Sequence, residues 1–148
     1  METKDILRQL REKNHLTQDQ MAERIMVTRQ AVSRWENGET QPNTETLKIL
    51  SREFNISINT LLGSPRKLFC QCCGMPLNED GMISKEPDGL FNEDYCKWCY
   101  VDGKYVYQSK EALLDFLIEH MPNPEGVPPE DLRGQYDTWI SRLKHWKE

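Results

Sequence analysis

A chain of 148 residues, 37% hydrophobic and 29% charged, has the length of one domain or two small ones and an ordinary soluble composition. The first twenty residues carry charges throughout and no run approaches the ~20 apolar residues of a membrane-spanning helix, so neither a signal peptide nor a membrane anchor is predicted. The expectation is a cytoplasmic protein, in which thiols stay reduced and cysteine spacing points to metal or redox chemistry; an odd count of five cysteines agrees. The net charge of −5 is unevenly spread. Residues 1–64 hold nine Lys/Arg against nine Asp/Glu, and residues 65–148 hold ten against fifteen. Nucleic-acid binders are usually basic, so the whole-chain charge argues mildly against one and local charge has to decide.

The clearest break is LLGSPRK at 61–67, punctuated by Gly63, Ser64 and Pro65. It divides the chain into an expected domain at 1–63, a linker at 64–67 and a second domain at 68–148. Ahead of the break, Ile6, Leu7 and Leu10 share a face of a first helix. Thr17 and Gln20 form a capping box that opens a second, carrying Met21, Ala22 and Ile25. Thr28 caps a third, with Gly38 just past its end. Asn43 caps a fourth bearing Leu47, Leu50 and Phe54, and Ser57 caps a short fifth ending at Leu62. Five short helices in about sixty residues make a compact all-α domain.

The third helix, TRQAVSRWEN, turns Ala31, Val32 and Trp35 inward, which assigns Trp35 to the core rather than to base stacking. Its other face carries Arg29, Gln30, Ser33, Arg34 and Asn37, with no carboxylate among them. Arg pairs with the O6/N7 edge of guanine and Gln with N6/N7 of adenine, so these side chains suit a major-groove reader. On side-chain type alone the same face also suits a solvated surface helix. Only Met26-Val27 separates this helix from the one before, a tight turn of helix-turn-helix type.

The order of residues adds more. From LTQ at the second helix through VTRQAVSRWENG to FNISINTLL, residues 4–62 resemble the Xre-type helix-turn-helix family of bacterial and phage repressors. The resemblance implies phosphate or base contacts from Gln18, Thr28 and Asn37, base reading by Arg29, Gln30, Ser33 and Arg34, and an ion pair between Arg11 and Glu36. Family members commonly bind double-stranded operator DNA as homodimers, on half-sites about one helical turn, ~34 Å, apart. The family commonly places Gly or Asn in the turn where this chain has Met26, and a left-handed conformation costs a non-glycine residue roughly 1 kcal/mol. His15 reads as a surface or capping residue.

Beyond the linker, glycine turns and aromatic and β-branched residues replace the helical pattern. Asp102-Gly103 between YCKWCYV and KYVYQ is a type I′ hairpin signal. Around it the cysteines read C70-x2-C73-x22-C96-x2-C99, two CxxC pairs able to present four thiolates to one tetrahedral ion, as in a structural zinc site. Gly74 after Cys73 is expected to let backbone amides approach the sulfurs. Unrelated buried thiols are the bland alternative; a redox CxxC would sit in a βαβ context that is missing here. Cys72 has no x2 partner and reads as a bystander, with exchange into the site or oxidation as the other possibilities.

After this ribbon (68–108) comes a helical pair (109–148). Ser109 caps KEALLDFLIEHM, where Leu113, Leu114, Leu117, Ile118 and Met121 make one stripe. Leu132, Tyr136, Trp139, Ile140, Leu143 and Trp146 then recur at helical spacing to the C-terminus. The pair is expected to complete the ribbon's core, with His120 and His145 as flanking residues. CQCCGMPL, NEDYCKWCYVDGKY and the closing LKHW resemble a zinc-ribbon family found at the C-terminus of some Xre-type regulators; that family usually has a small polar residue where Cys72 stands. The expected architecture is an all-α five-helix helix-turn-helix domain followed by a small α+β zinc ribbon with two C-terminal helices. The expected function is sequence-specific transcriptional regulation, repression in particular, with one structural zinc per chain on Cys70, Cys73, Cys96 and Cys99. A metal- or redox-responsive sensor and an antitoxin or adaptor are the competing readings. No catalytic constellation or small-molecule substrate is predicted, because four cysteines close a zinc site to substrate.

Overall fold

The computed structural model describes residues 1–147. The chain divides into two compact units. The first comprises residues 1–67 together with 88–91; the second takes in residues from Leu68 onward apart from that short stretch.

The first unit is built of α1 (Thr3–Lys13), α2 (Gln18–Arg24), α3 (Arg29–Glu36), α4 (Thr44–Phe54) and α5 (Ile58–Leu61). Local chemistry starts these helices where the sequence says they should start. Thr17 accepts from the Gln20 amide while the Gln20 side chain reaches back to the Thr17 amide. Thr28, Asn43 and Ser57 each accept from the amide three residues on. The apolar faces meet in one core of Leu7, Met21, Ala22, Ile25, Val32, Trp35, Leu47, Leu50 and Leu61. Ala31 is only partly buried at its edge.

The α2–α3 turn is left-handed at Met26, with φ 61°, and the Met26 side chain is 80% exposed. The side chain therefore gains nothing from packing to offset the strain. The short turn enforces the conformation instead, with the Val27 amide bonded to the Ala22 carbonyl at 2.9 Å. His15, at φ 57°, plays a similar part after α1.

The second unit has two small sheets and two helices. Strand β1 (Ile83–Lys85) pairs with β2 (Phe91–Cys96), and β3 (Tyr100–Val101) with β4 (Lys104–Tyr105). The latter pair is antiparallel, and its turn residues Asp102 and Gly103 have φ 51° and 79°, the positive values a type I′ turn needs. Ser109 caps α6 (Lys110–His120), which packs against α7 (Pro129–Ile140) through Leu113, Leu114, Leu117, Leu132 and Ile140. Lys110–Asp137 and Arg133–Asp115 ion pairs flank that contact.

Two expectations need correction. α7 ends at Ile140, capped by Ser141, so Leu143 and Trp146 lie in the turns that follow rather than on the helix. Met121 is the C-cap of α6 and 45% exposed, outside the buried stripe.

Replacing Met26 with glycine removes the left-handed penalty and adds the smaller entropic cost of glycine. Met26→Gly is expected to stabilise the first unit by about 0.5–1 kcal/mol, read as a higher denaturation midpoint. A lower midpoint would show that the exposed side chain contributes packing after all.

Candidate nucleic-acid interface and metal centre

Helix α3 is fixed from behind by charge as well as by apolar packing. Glu36, 3% exposed, receives two hydrogen bonds of 2.8 Å from Arg11 Nε and Nη2. Arg11 Nη1 donates to the Leu16 carbonyl at 2.9 Å. These bonds to Glu36 hold the Arg11 guanidinium above its ordinary pKa. Arg8 adds a second cation, donating to the Glu36 carbonyl at 3.0 Å and approaching its carboxylate at 3.6 Å. The Arg11–Glu36 pair was legible in the sequence; Arg8 was not, although its i,i+3 spacing from Arg11 puts both on one face of α1.

With Trp35 and Val32 anchored, the opposite face of α3 is turned outward. Gln18, Arg29, Gln30, Ser33, Arg34 and Asn37 line one concavity of 340 Å³. Thr28 is not among its lining residues; its hydroxyl already accepts from the Ala31 amide as the helix cap. Two carboxylates were missed by reading α3 in isolation. Glu39, just past Gly38, lines the concavity, and Asp19 on α2 lies 4.0 Å from Arg29 Nε. The face therefore offers forked guanidinium and amide donors with little net charge, a surface better suited to directional hydrogen bonds than to bulk attraction.

In the second unit the two CxxC pairs converge. The sulfurs of Cys70, Cys73, Cys96 and Cys99 lie within 4.8 Å of one another, and Cys73 Sγ is 3.9 Å from Cys96 Sγ. β2 delivers Cys96 at its end, and the tight turn that follows, closed by the Cys99 amide on the Cys96 carbonyl at 3.1 Å, brings Cys99 to the same point. Four thiolates cannot share this space unaided: at 3.9 Å two of them repel by about 4 kcal/mol at an effective dielectric of 20. The four thiols are driven apart in acidity: hydrogen bonds from Cys73, Cys96 and Cys99 draw Cys70 down, and, against an opposing bond with Cys70, those from Cys73 and Cys99 lower Cys96, while bonding with Cys70 pushes Cys73 and Cys99 up. A central dication would remove the conflict. Sulfurs about 2.3 Å from a tetrahedral zinc ion stand about 3.8 Å apart, so the donor set and the observed spacing fit that ion.

The surrounding backbone is shaped to this cluster. The Cys72 and Cys73 amides point at Cys70 Sγ, at 3.4 and 3.5 Å. Gly74 closes the loop that allows this approach, its own amide bonding the Cys70 carbonyl at 2.8 Å. Its φ is 79°, and a Cβ there would meet the Trp139 ring at 2.7 Å, so both backbone and neighbour demand glycine. Cys72 is fully buried. Its carbonyl accepts from Trp146 Nε1 at 2.8 Å, and the His145 amide bonds the Gln71 carbonyl at 3.1 Å. The closing LKHW is thus a clamp on the first CxxC loop. His145 packs against Tyr95 and Tyr105, and burial lowers its pKa; His120 is exposed beside Glu119. Neither belongs to the sulfur cluster.

Comparison with known proteins agrees with both halves of this description. The family described as "Putative zinc ribbon domain" matches residues 69–147, and the helix-turn-helix family matches residues 7–61. Over 62 residues, 42% of the chain, the sequence is 47% identical to the HTH-type transcriptional activator BcrR of Enterococcus faecalis. Over the same length it is 32% identical to the antitoxin PezA of Streptococcus pneumoniae serotype 4. The chain covers 30% and 39% of those two proteins, about a third of each. Among the described residues no helix is long and apolar enough to cross a membrane. With more than half of its length matched, the chain belongs to the zinc-ribbon family so described, and it carries an Xre-type helix-turn-helix domain ahead of the ribbon.

Proposed function

We propose that this chain is a DNA-binding transcription regulator, with a reading domain at 1–63, a linker at 64–67, and a domain at 68–148 held together by one structural zinc ion. The observation that carries the DNA reading is the shared concavity on α3, which gathers six of the seven residues expected to touch DNA around two exposed arginines. In the major groove Arg29 and Arg34 would take guanine edges and Gln30 an adenine edge, with Ser33 free to bond either. Gln18, Thr28 and Asn37 would hold phosphates or flanking bases. Cys70, Cys73, Cys96 and Cys99 would bind the ion. A four-thiolate shell leaves no open position, so the metal supports the fold and does no chemistry on a substrate.

The relatives matched include one protein named an activator and one named an antitoxin. Repression is the simplest consequence of occupying an operator, and a reporter gene behind the bound site reads the sign. The likeness to PezA gives an interaction-protein reading its one specific support; a partner co-purifying in fixed stoichiometry would favour it. A redox switch at Cys72 loses ground because its burial removes the access that thiol oxidation needs.

Selection of bound DNA from a random pool, with and without a zinc chelator, tests the main reading. A homodimer should return two half-sites about one helical turn, ~34 Å, apart; a pool with no enriched sequence would sink the proposal. Arg29→Ala and Arg34→Ala are each expected to cost about 1–3 kcal/mol of binding to the selected site without loss of helical signal. Glu39→Gln should tighten binding at low salt, since it removes a carboxylate from the face. Chelation should unfold the second unit, seen as lost near-UV aromatic signal and one equivalent of released zinc per chain. Cys72→Ala is expected to leave zinc content, operator affinity and the response to peroxide unchanged; a lost peroxide response would restore the sensor reading.

A further inference from the structure

The sulfur cluster borders a second feature that neither DNA reading nor folding uses. Cys73, Cys96 and Cys99 form one side of an apolar cavity of 590 Å³ within the second unit. Its volume falls in the ~300–1,000 Å³ range of small-molecule sites. The walls come from separate segments: the first CxxC loop, the second, α6 through Leu113 and Leu117, and α7 through Trp139. Large apolar side chains stand half-exposed around the mouth, Phe69 at 45%, Trp98 at 51% and Met121 at 45%. Single exposed apolar residues are ordinary, but several around one concavity mark a binding site.

The lining defines the ligand. No Lys, Arg, His, Asp or Glu is part of it, so no cationic side chain is there to pair with an anion. Six of the fifteen lining residues are aromatic, and the negative face of an aromatic ring favours cations. Trp98 shows the preference directly, with Lys97 Nζ 4.8 Å from its ring centroid. The floor adds to this preference on the proposed zinc reading, since four thiolates around a dication leave a net charge of about −2. We infer that the cavity binds a lipophilic aromatic cation, lodged between the rings and the sulfur cluster. Apolar volume without charge would accept neutral molecules too; the rings and the anionic floor add the selectivity for positive charge.

Tetraphenylphosphonium and tetraphenylborate, nearly identical in size and opposite in charge, separate these contributions. Both are titrated by calorimetry into the full chain, with zinc content measured on the same sample. The cation should bind one per chain, at least about tenfold more tightly than the anion. Met121→Lys places a like charge at the mouth, on a residue whose exposure lets the fold tolerate it. It should weaken tetraphenylphosphonium at least about tenfold, with zinc content and DNA binding unchanged, while Met121→Leu retains the affinity. Equal affinity for the two ions, or no binding by a protein holding its zinc, overturns the inference and leaves the zinc reading standing. A protein purified without any metal would count against the zinc reading itself. If neither ion binds and Met121→Lys turns a sedimenting dimer into a monomer, the cavity is a face for a second copy and the inference is wrong.

Discussion

Four sulfurs crowded within 4.8 Å are the constraint on which the second unit rests. Two-stranded sheets of this size are marginal on their own, and their strands bury few side chains. Neutral thiols at these distances attract one another only weakly, and ionised ones repel. Whatever neutralises the cluster therefore decides whether the two CxxC loops stay together. The consequence spreads because the loops are also where the C-terminal helices attach: Trp139 lies against Gly74, and Trp146 and His145 bond the backbone of Cys72 and Gln71. Ribbon and helical pair are thereby joined at the sulfur cluster. The proposed structural zinc accounts for that arrangement, since small domains with little core commonly need a metal staple.

The first unit answers a different demand with a different device. Its core is large enough to hold five short helices, so charge is not needed for cohesion. The buried Glu36 is better understood as setting orientation. Removing a carboxylate from water is costly, and an ion pair of this kind does little more than offset that cost. What the fork from Arg11 adds is direction. It ties the last residue of α3 to α1, so the helix cannot roll about its axis without breaking two 2.8 Å bonds. A reading helix needs that fixity, because a rotation of one residue, about 100°, would point a different set of side chains outward.

How much of this the sequence showed depends on how local each cause is. Caps at Thr17, Thr28, Asn43, Ser57 and Ser109 work within three residues, and all five start their helices where expected. The paired CxxC spacing and the Asp102-Gly103 turn are equally local, and the structure carries both. The end of α7 was misread because Leu143 and Trp146 keep a helical spacing while lying in tight turns; periodicity measures which side is buried, not whether hydrogen bonds continue. The Trp146–Cys72 bond spans 74 positions and leaves no local trace. Asp19 and Glu39 were missed for a related reason: the electrostatics of a face include every element beside it, and α3 alone gave a falsely basic picture.

Charge sets the terms on which such a domain would bind DNA. A chain of net −5 with a neutral reading domain lacks the basic surface that gives most DNA-binding proteins their non-specific affinity. The deficit does not fall equally on all binding. Counterion release from phosphates is indifferent to sequence, whereas the forked contacts proposed for Arg29, Arg34 and Gln30 to base edges would form only on matching pairs. Lowering the first contribution while keeping the second weakens every site but widens the gap between right and wrong ones. Because a genome presents on the order of 10⁶–10⁹ competing sites, that gap matters more than absolute affinity. An acidic composition is therefore compatible with a DNA regulator, provided that recognition is carried by a few directional contacts, and the arrangement on α3 is of that kind.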